Sequence, residues 1–283
     1  MINIPIEQAT AQARGATFTA LGIAHRYGWT ADSELIQRGL AIIAGVEEFA
    51  RTPVPPIAEL PTDPAAMAEA LLKRGRVVTD RACIEAVLPE ALAEGIGLLF
   101  TGVKYELPGW LDLLSADFAE TARTFVEARQ VAPWKLSGFE GQSVIDQFVA
   151  VARNAGKLDS LVATRVELGS AFGEQSMVAN WLWTYCKPFG EDADAARIEQ
   201  AGRLVWEHRQ RSFIDLSAEE RWSRIAAVFD LELAGWNAVS SRNDRWQIDK
   251  NRAEAVTLTG LGQSIRDDEA RARALNARAA AGR

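Results

Sequence analysis

Only two side chains in this chain have an ordinary pKa suited to proton transfer at neutral pH, His25 and His208. Neither has the company that such chemistry needs. There is no HExxH, and the residues three positions earlier, Gly22 and Val205, exclude the ExxH pair of di-iron helix bundles. Both histidines are therefore expected to be structural, at helix margins. The two cysteines, Cys83 and Cys186, show no CxxC spacing, so neither a zinc site nor a disulfide framework is indicated, and both are read as reduced. Two glycine stretches, "GIGLLF" and "GLGQSI", begin like a dinucleotide-binding loop but lack its third glycine and a preceding strand. No GxxxxGK[ST], GxSxG or SxxK occurs. The sequence thus assigns no catalytic residue, no metal ligand and no cofactor.

Glu120 and Glu127 could pass for paired acid/base carboxylates, but Arg123 stands three and four residues from them on the same helical face. A solvated ion-paired face is expected there. The densest aromatic cluster is "NWLWTYCKPF", 180–189. As a strand it would present Trp181, Trp183 and Tyr185 on one face, an aromatic platform. As a helix it would align Val178, Trp181, Leu182 and Tyr185, leave Trp183 aside, and end before Pro188. Helical surroundings favour the second reading and core packing. The ligand-binding alternative is a pocket lined by Trp181, Trp183, Tyr185 and His208.

The elements that must position these residues are nearly all helical. Residues 5–27 carry Phe18, Leu21 and His25 at helical spacing among alanines small enough to admit a close neighbour. A second helix, 33–51, shows the stripe Leu35, Ile42, Val46 and Phe49, widened by Ile36, Leu40 and Ile43, and completes an N-terminal hairpin. The proline-rich stretch 52–64 reads as an extended connector. Short helices at 64–74, 80–87 and 89–100 then precede a longer one to about 132, marked by Leu111, Leu114, Phe118 and Phe125. "PWKLSGFEGQS" at 133–143 is the best candidate for a subdomain boundary. Helices near 143–155, 158–168 and 191–212 follow. The capping pair Ser217 and Glu220 opens a helix whose stripe Trp222, Ala226, Phe229, Leu233 and Trp236 faces a core. Strand patterns are limited to "RVVTD" and "AVTLTG".

The expected fold is all-α, an irregular multi-helix array with an N-terminal hairpin, a central bundle and an extended C-terminal arm. Its expected parts are helical subdomains at 1–132 and 143–246 and an arm or tail at 247–283. That tail carries Val256, Leu258, Leu261, Ile265 and Leu275, too sparse to form a core but enough for an arm laid into a partner's groove.

Net charge is −7, with 31 basic residues scattered among 38 acidic ones, so a nucleic-acid partner is not expected. No apolar run reaches the ~18 residues that cross a bilayer, and the N-terminus does not read as a secretory signal. The sequence predicts a non-enzymatic structural or assembly protein, a subunit of a larger cytoplasmic or virion-type complex. It would bind a protein partner or itself through the arm. The alternative is a helical enzyme or small-molecule binder with an aromatic-lined pocket.

Overall fold

The computed structural model describes residues 6–51, 63–136, 138, 141–174, 181–189, 195–251 and 254. Its elements are α1 (Ile6–Tyr27), α2 (Glu34–Arg51), α3 (Pro64–Val131), α4 (Gln142–Ala171), a 3-10 turn (Trp181–Thr184), α5 (Ala195–Glu207), α6 (Arg211–Ile214) and α7 (Ala218–Ala226). A further helical segment, α8, covers 238–251. The fold is all-α. Among the described residues the only extended pairing is an isolated antiparallel bridge between Cys186 and Leu231. The chain divides into two compact units, Met1–Trp110 and Leu111–Arg283, with the division falling inside α3. The break at 133–143 separates α3 from α4.

In the first unit, α1 ends where Gly28 takes a left-handed conformation (φ +69°) and Trp29 N–H bonds back to the Ala24 carbonyl at 2.8 Å. Glycine suits that position because it has no Cβ to clash. Trp29 stacks on Tyr27 and on Trp110, and the Trp110 indole donates to the Thr30 carbonyl at 2.9 Å, fixing the turn into α2. The helices pack through small residues. Thr17, Ala20, Ile23 and Ala24 are the buried face of α1, whereas Phe18 and His25 of the expected stripe are exposed. On α2 the buried residues are Ile36 and Ile43, from the widening set, together with Gly39, while Leu40 is half-buried and Leu35 is exposed.

Gly39 explains why. A Cβ there would stand 2.7 Å from the Gly95 carbonyl oxygen and 2.8 Å from Leu99 N, so α2 crosses α3 backbone against backbone. Gly102 is similarly crowded by Ile36.

Helix α3 is continuous where the sequence suggests four pieces. Asp63 caps it by accepting the Ala66 amide at 2.9 Å, with Pro64 in the first turn, where its missing N–H costs nothing. Pro89 and Pro108 lie inside it. Each proline removes one ladder bond, a local penalty of roughly 3 kcal/mol, which does not break a helix anchored by packing further along. The "RVVTD" stretch is therefore helical.

In the second unit the predicted face of α3 is buried as expected, with Leu111, Leu114, Phe118 and Phe125 all at most 1% exposed. The two helices expected at 143–168 are one, α4, which packs against α7. Ser217 caps α7 by accepting the Glu220 amide. The Glu220 carboxylate pairs forward with Arg224 at 2.9 Å rather than back to the cap, so half of the expected capping box forms. α7 ends at Ala226, earlier than its stripe suggests, yet Phe229 and Leu233 remain buried in the irregular chain that follows.

Two buried arginines hold that irregular chain. Arg165 of α4 is fully buried and pairs through both guanidinium ends with Glu174, at 2.7 and 3.0 Å, while donating to the Ala234 and Gly235 carbonyls. Arg242 of α8 donates to the Cys186 and Glu232 carbonyls and pairs with the Glu232 carboxylate. Residues 184–187 and 230–234 are further joined by backbone bonds, Ala234 N to Thr184 O at 2.7 Å among them. Carbonyls that no helix satisfies thus find charged donors. Residues 247–251, the start of the expected arm, continue α8, with Asp249 buried beside Arg245. Val256, Leu258, Leu261, Ile265 and Leu275 lie outside the described residues.

Candidate functional site

Between α4, the 3-10 turn, the end of α5, α6 and α7, the second unit forms a partly open cavity of about 190 Å³. Tyr185 and His208 both line it, and their side chains share a hydrogen bond of 2.7 Å between the phenol oxygen and Nε2. Tyr185 gets there because the chain turns sharply after Thr184, and His208 because its amide closes the last turn of α5 onto Leu204. Burial, and then the positive charges of Arg221 and Arg209, lower the His208 pKa to about 4, so the ring is neutral at physiological pH. Burial pushes the Tyr185 phenol well above its ordinary value. The pair is a neutral, polar spot.

A second polar group lines the cavity. Asp159 of α4 accepts from Arg221 Nη2 at 2.7 Å and from the Trp222 indole at 2.9 Å. Arg221 also donates to the Ile214 and Leu216 carbonyls, which holds the single turn α6 against α7. The rest of the lining is apolar: Val162, Ala163, Phe213, Ile214 and Ile225. Tyr185 meets Trp222 edge to face at 4.9 Å, and Phe213 lies 5.2 Å from the His208 ring.

Of the pocket expected from the sequence, the fold brings Tyr185 and His208 together. Trp183 is buried elsewhere, against Phe229 and Trp246 at 5.7 and 5.4 Å. The side chain of Trp181 lies outside the described residues. Asp159, Arg221 and Trp222 carry no mark in the sequence as site residues, because they meet only across more than sixty positions of chain. Glu120, Arg123 and Glu127 form the exposed ion-paired face expected of them. Among the described residues no group of three or more His, Cys, Asp or Glu could hold a metal ion, and no helix is long and apolar enough to cross a membrane.

The first unit presents a different feature. From Gly75 to Asp80 and from Ala82 to Val87, every residue of α3 is exposed. Among them and just before are large apolar side chains: Leu71 (49%), Leu72 (69%), Val78 (45%) and Val87 (54%). Ala68, Leu71, Leu72, Gly75, Val78, Thr79, Ala82 and Ala86 follow helical spacing, so they make one uncharged stripe. A shallow hollow runs along its edge, lined by Ala68, Leu72, Gly75 and Thr79 and bordered by Arg76 and Asp80.

Comparison with protein families, with curated proteins and with solved structures finds no significant match for this chain.

Proposed function

We propose that this chain is a non-enzymatic assembly protein, a helical subunit of a larger complex, and that it meets a second copy of itself along residues 68–90 of α3. The observation that carries this reading is the exposed apolar stripe. An isolated helical stretch is marginal in water, since most helical stability in proteins comes from burying one face. Leu71, Leu72 and Val78 bury little within the single chain.

Charge selects the partner. Along this stretch the first half, 68–79, carries Lys73, Arg74 and Arg76 against Glu69, and the second half, 80–90, carries Asp80, Glu85 and Glu90 against Arg81. Arg76 and Glu90 are about four turns apart and so flank the stripe on nearly the same side. Antiparallel pairing of two copies sets each basic half against the other's acidic half; parallel pairing sets like against like.

Light scattering over a concentration series tests this, using the full chain and the Leu72→Glu, Val78→Glu double variant. Both positions are exposed, so the variant keeps its fold and its helical circular dichroism. The expected result is a mass that rises from one chain to two in the parent and stays at one in the variant. A parent that remains one chain at every concentration overturns the reading. The apolar residues of the expected C-terminal arm would add a second contact, read by the same experiment on a chain ending after residue 254.

A further inference from the structure

We propose that the cavity of the second unit is a binding site for a small, uncharged aromatic molecule carrying one hydroxyl or ring N–H group, of phenol or indole size. Size sets the first limit. Drug-sized ligands need cavities of about 300 Å³ or more, whereas about 190 Å³ at ordinary packing holds one ring or a fused pair. Shape and chemistry of the wall set the second. Tyr185, Phe213 and Trp222 bring aromatic faces and edges, and Val162 and Ile225 close the space with aliphatic carbon.

Charge sets the third limit. Asp159 and Arg221 neutralise each other at 2.7 Å, and His208 is neutral because burial and the adjacent arginines disfavour its charged form. A site with no net charge that is mostly apolar rejects ions, which would lose their hydration without a counter-charge. Polarity sets the fourth. The Tyr185–His208 pair is the uncharged polar spot on a largely apolar lining, and a hydroxyl oxygen can take part in more than one hydrogen bond. Access is open at Ala163 and Ile214, both exposed at the rim.

Calorimetric titration of the full chain with 4-methylphenol, toluene and benzoate tests the assignment. The expected result is saturable binding of 4-methylphenol, about tenfold tighter than toluene, the worth of one added hydrogen bond, and no binding of benzoate. Tyr185→Phe should bring 4-methylphenol down to the affinity of toluene. Ala163→Trp, at an exposed position on α4 that overhangs the mouth, should weaken both while leaving the melt unchanged. This second variant decides the matter should Tyr185→Phe fail to fold. The proposal is overturned if neither neutral compound binds saturably, if the two bind the parent equally, if benzoate binds best, or if Ala163→Trp binds as the parent does.

Discussion

The two units solve the same problem, burying helix faces, by opposite means. In the first, contact is made by what is missing: Gly39, Gly95 and Gly102 have no side chains, and α2 and α3 meet through their backbones. In the second, contact is made by the largest side chains available. Phe118 meets Trp222, Trp183 meets Phe229 and Trp246, and two arginines tie down chain that no helix satisfies. A backbone crossing is stiff and leaves no space, whereas rings and guanidinium groups leave irregular gaps, and the cavity beside Tyr185 is one of them. On the proposed reading, the first unit would offer a second copy an outer surface, and the second would offer a ligand an interior.

Removing the arginine clamp should give the largest effect. Arg165→Ala strands the Glu174 carboxylate in the core and frees the Ala234 and Gly235 carbonyls. Breaking one side of a buried pair typically costs about 3 to 5 kcal/mol. Denaturant unfolding checks it, and a loss below about 1 kcal/mol would show that aromatic packing alone holds the second unit.

In the first unit the expected loss is somewhat smaller. Gly39→Val drives a Cβ into backbone atoms that cannot step aside, for about 2 to 3 kcal/mol of overpacking. Gly45, on the same helix, has nothing within 4 Å of a built Cβ. Gly45→Ala should therefore stabilise α2 by up to about 1 kcal/mol. The two glycines must respond with opposite signs in thermal melts; equal responses would deny the backbone crossing.

A further effect concerns pH. His208 has a folded pKa of about 4, below its ordinary 6.5, so the unfolded chain takes up the proton first as pH falls. Stability from this group is fully present above about pH 6.5 and is lost on descending towards pH 4. Between pH 7 and pH 5 the loss amounts to about 2 kcal/mol. His208→Gln should flatten that part of the stability profile, and an unchanged slope would place the ring in water.

How far the sequence discloses this depends on the kind of contact. The α3 face of Leu111, Leu114, Phe118 and Phe125 is legible because large apolar residues at helical spacing bury against something whatever the partner. The buried faces of α1 and α2 are misjudged for the converse reason. Their contacts run through alanine and glycine, which carry little hydrophobic signal, so Phe18 and Leu35 look more central than Ala20 and Gly39. The continuity of α3 is hidden by Gly75 and Pro89, which punctuate locally but yield to packing elsewhere. Arg165 reads as one more surface charge until Glu174 and two carbonyls converge on it. Tyr185 and His208 are legible as candidates by type, but their meeting depends on a tight turn and a helix end that no local pattern encodes.

The proposed self-association of α3 is tested most directly by reversing one charge at a time and then mixing. Arg76 and Glu90 are both exposed and flank the stripe on nearly the same side. In an antiparallel pair each copy's Arg76 side faces the other's acidic half. Arg76→Glu alone and Glu90→Arg alone should each weaken the homodimer, because each sets like charges together. Mixing the two variants should restore a dimer of one chain of each kind, seen by native mass spectrometry with one variant isotopically labelled. Homodimers of either variant as strong as the parent's, or a mixture no tighter than its components, would contradict antiparallel pairing along this helix.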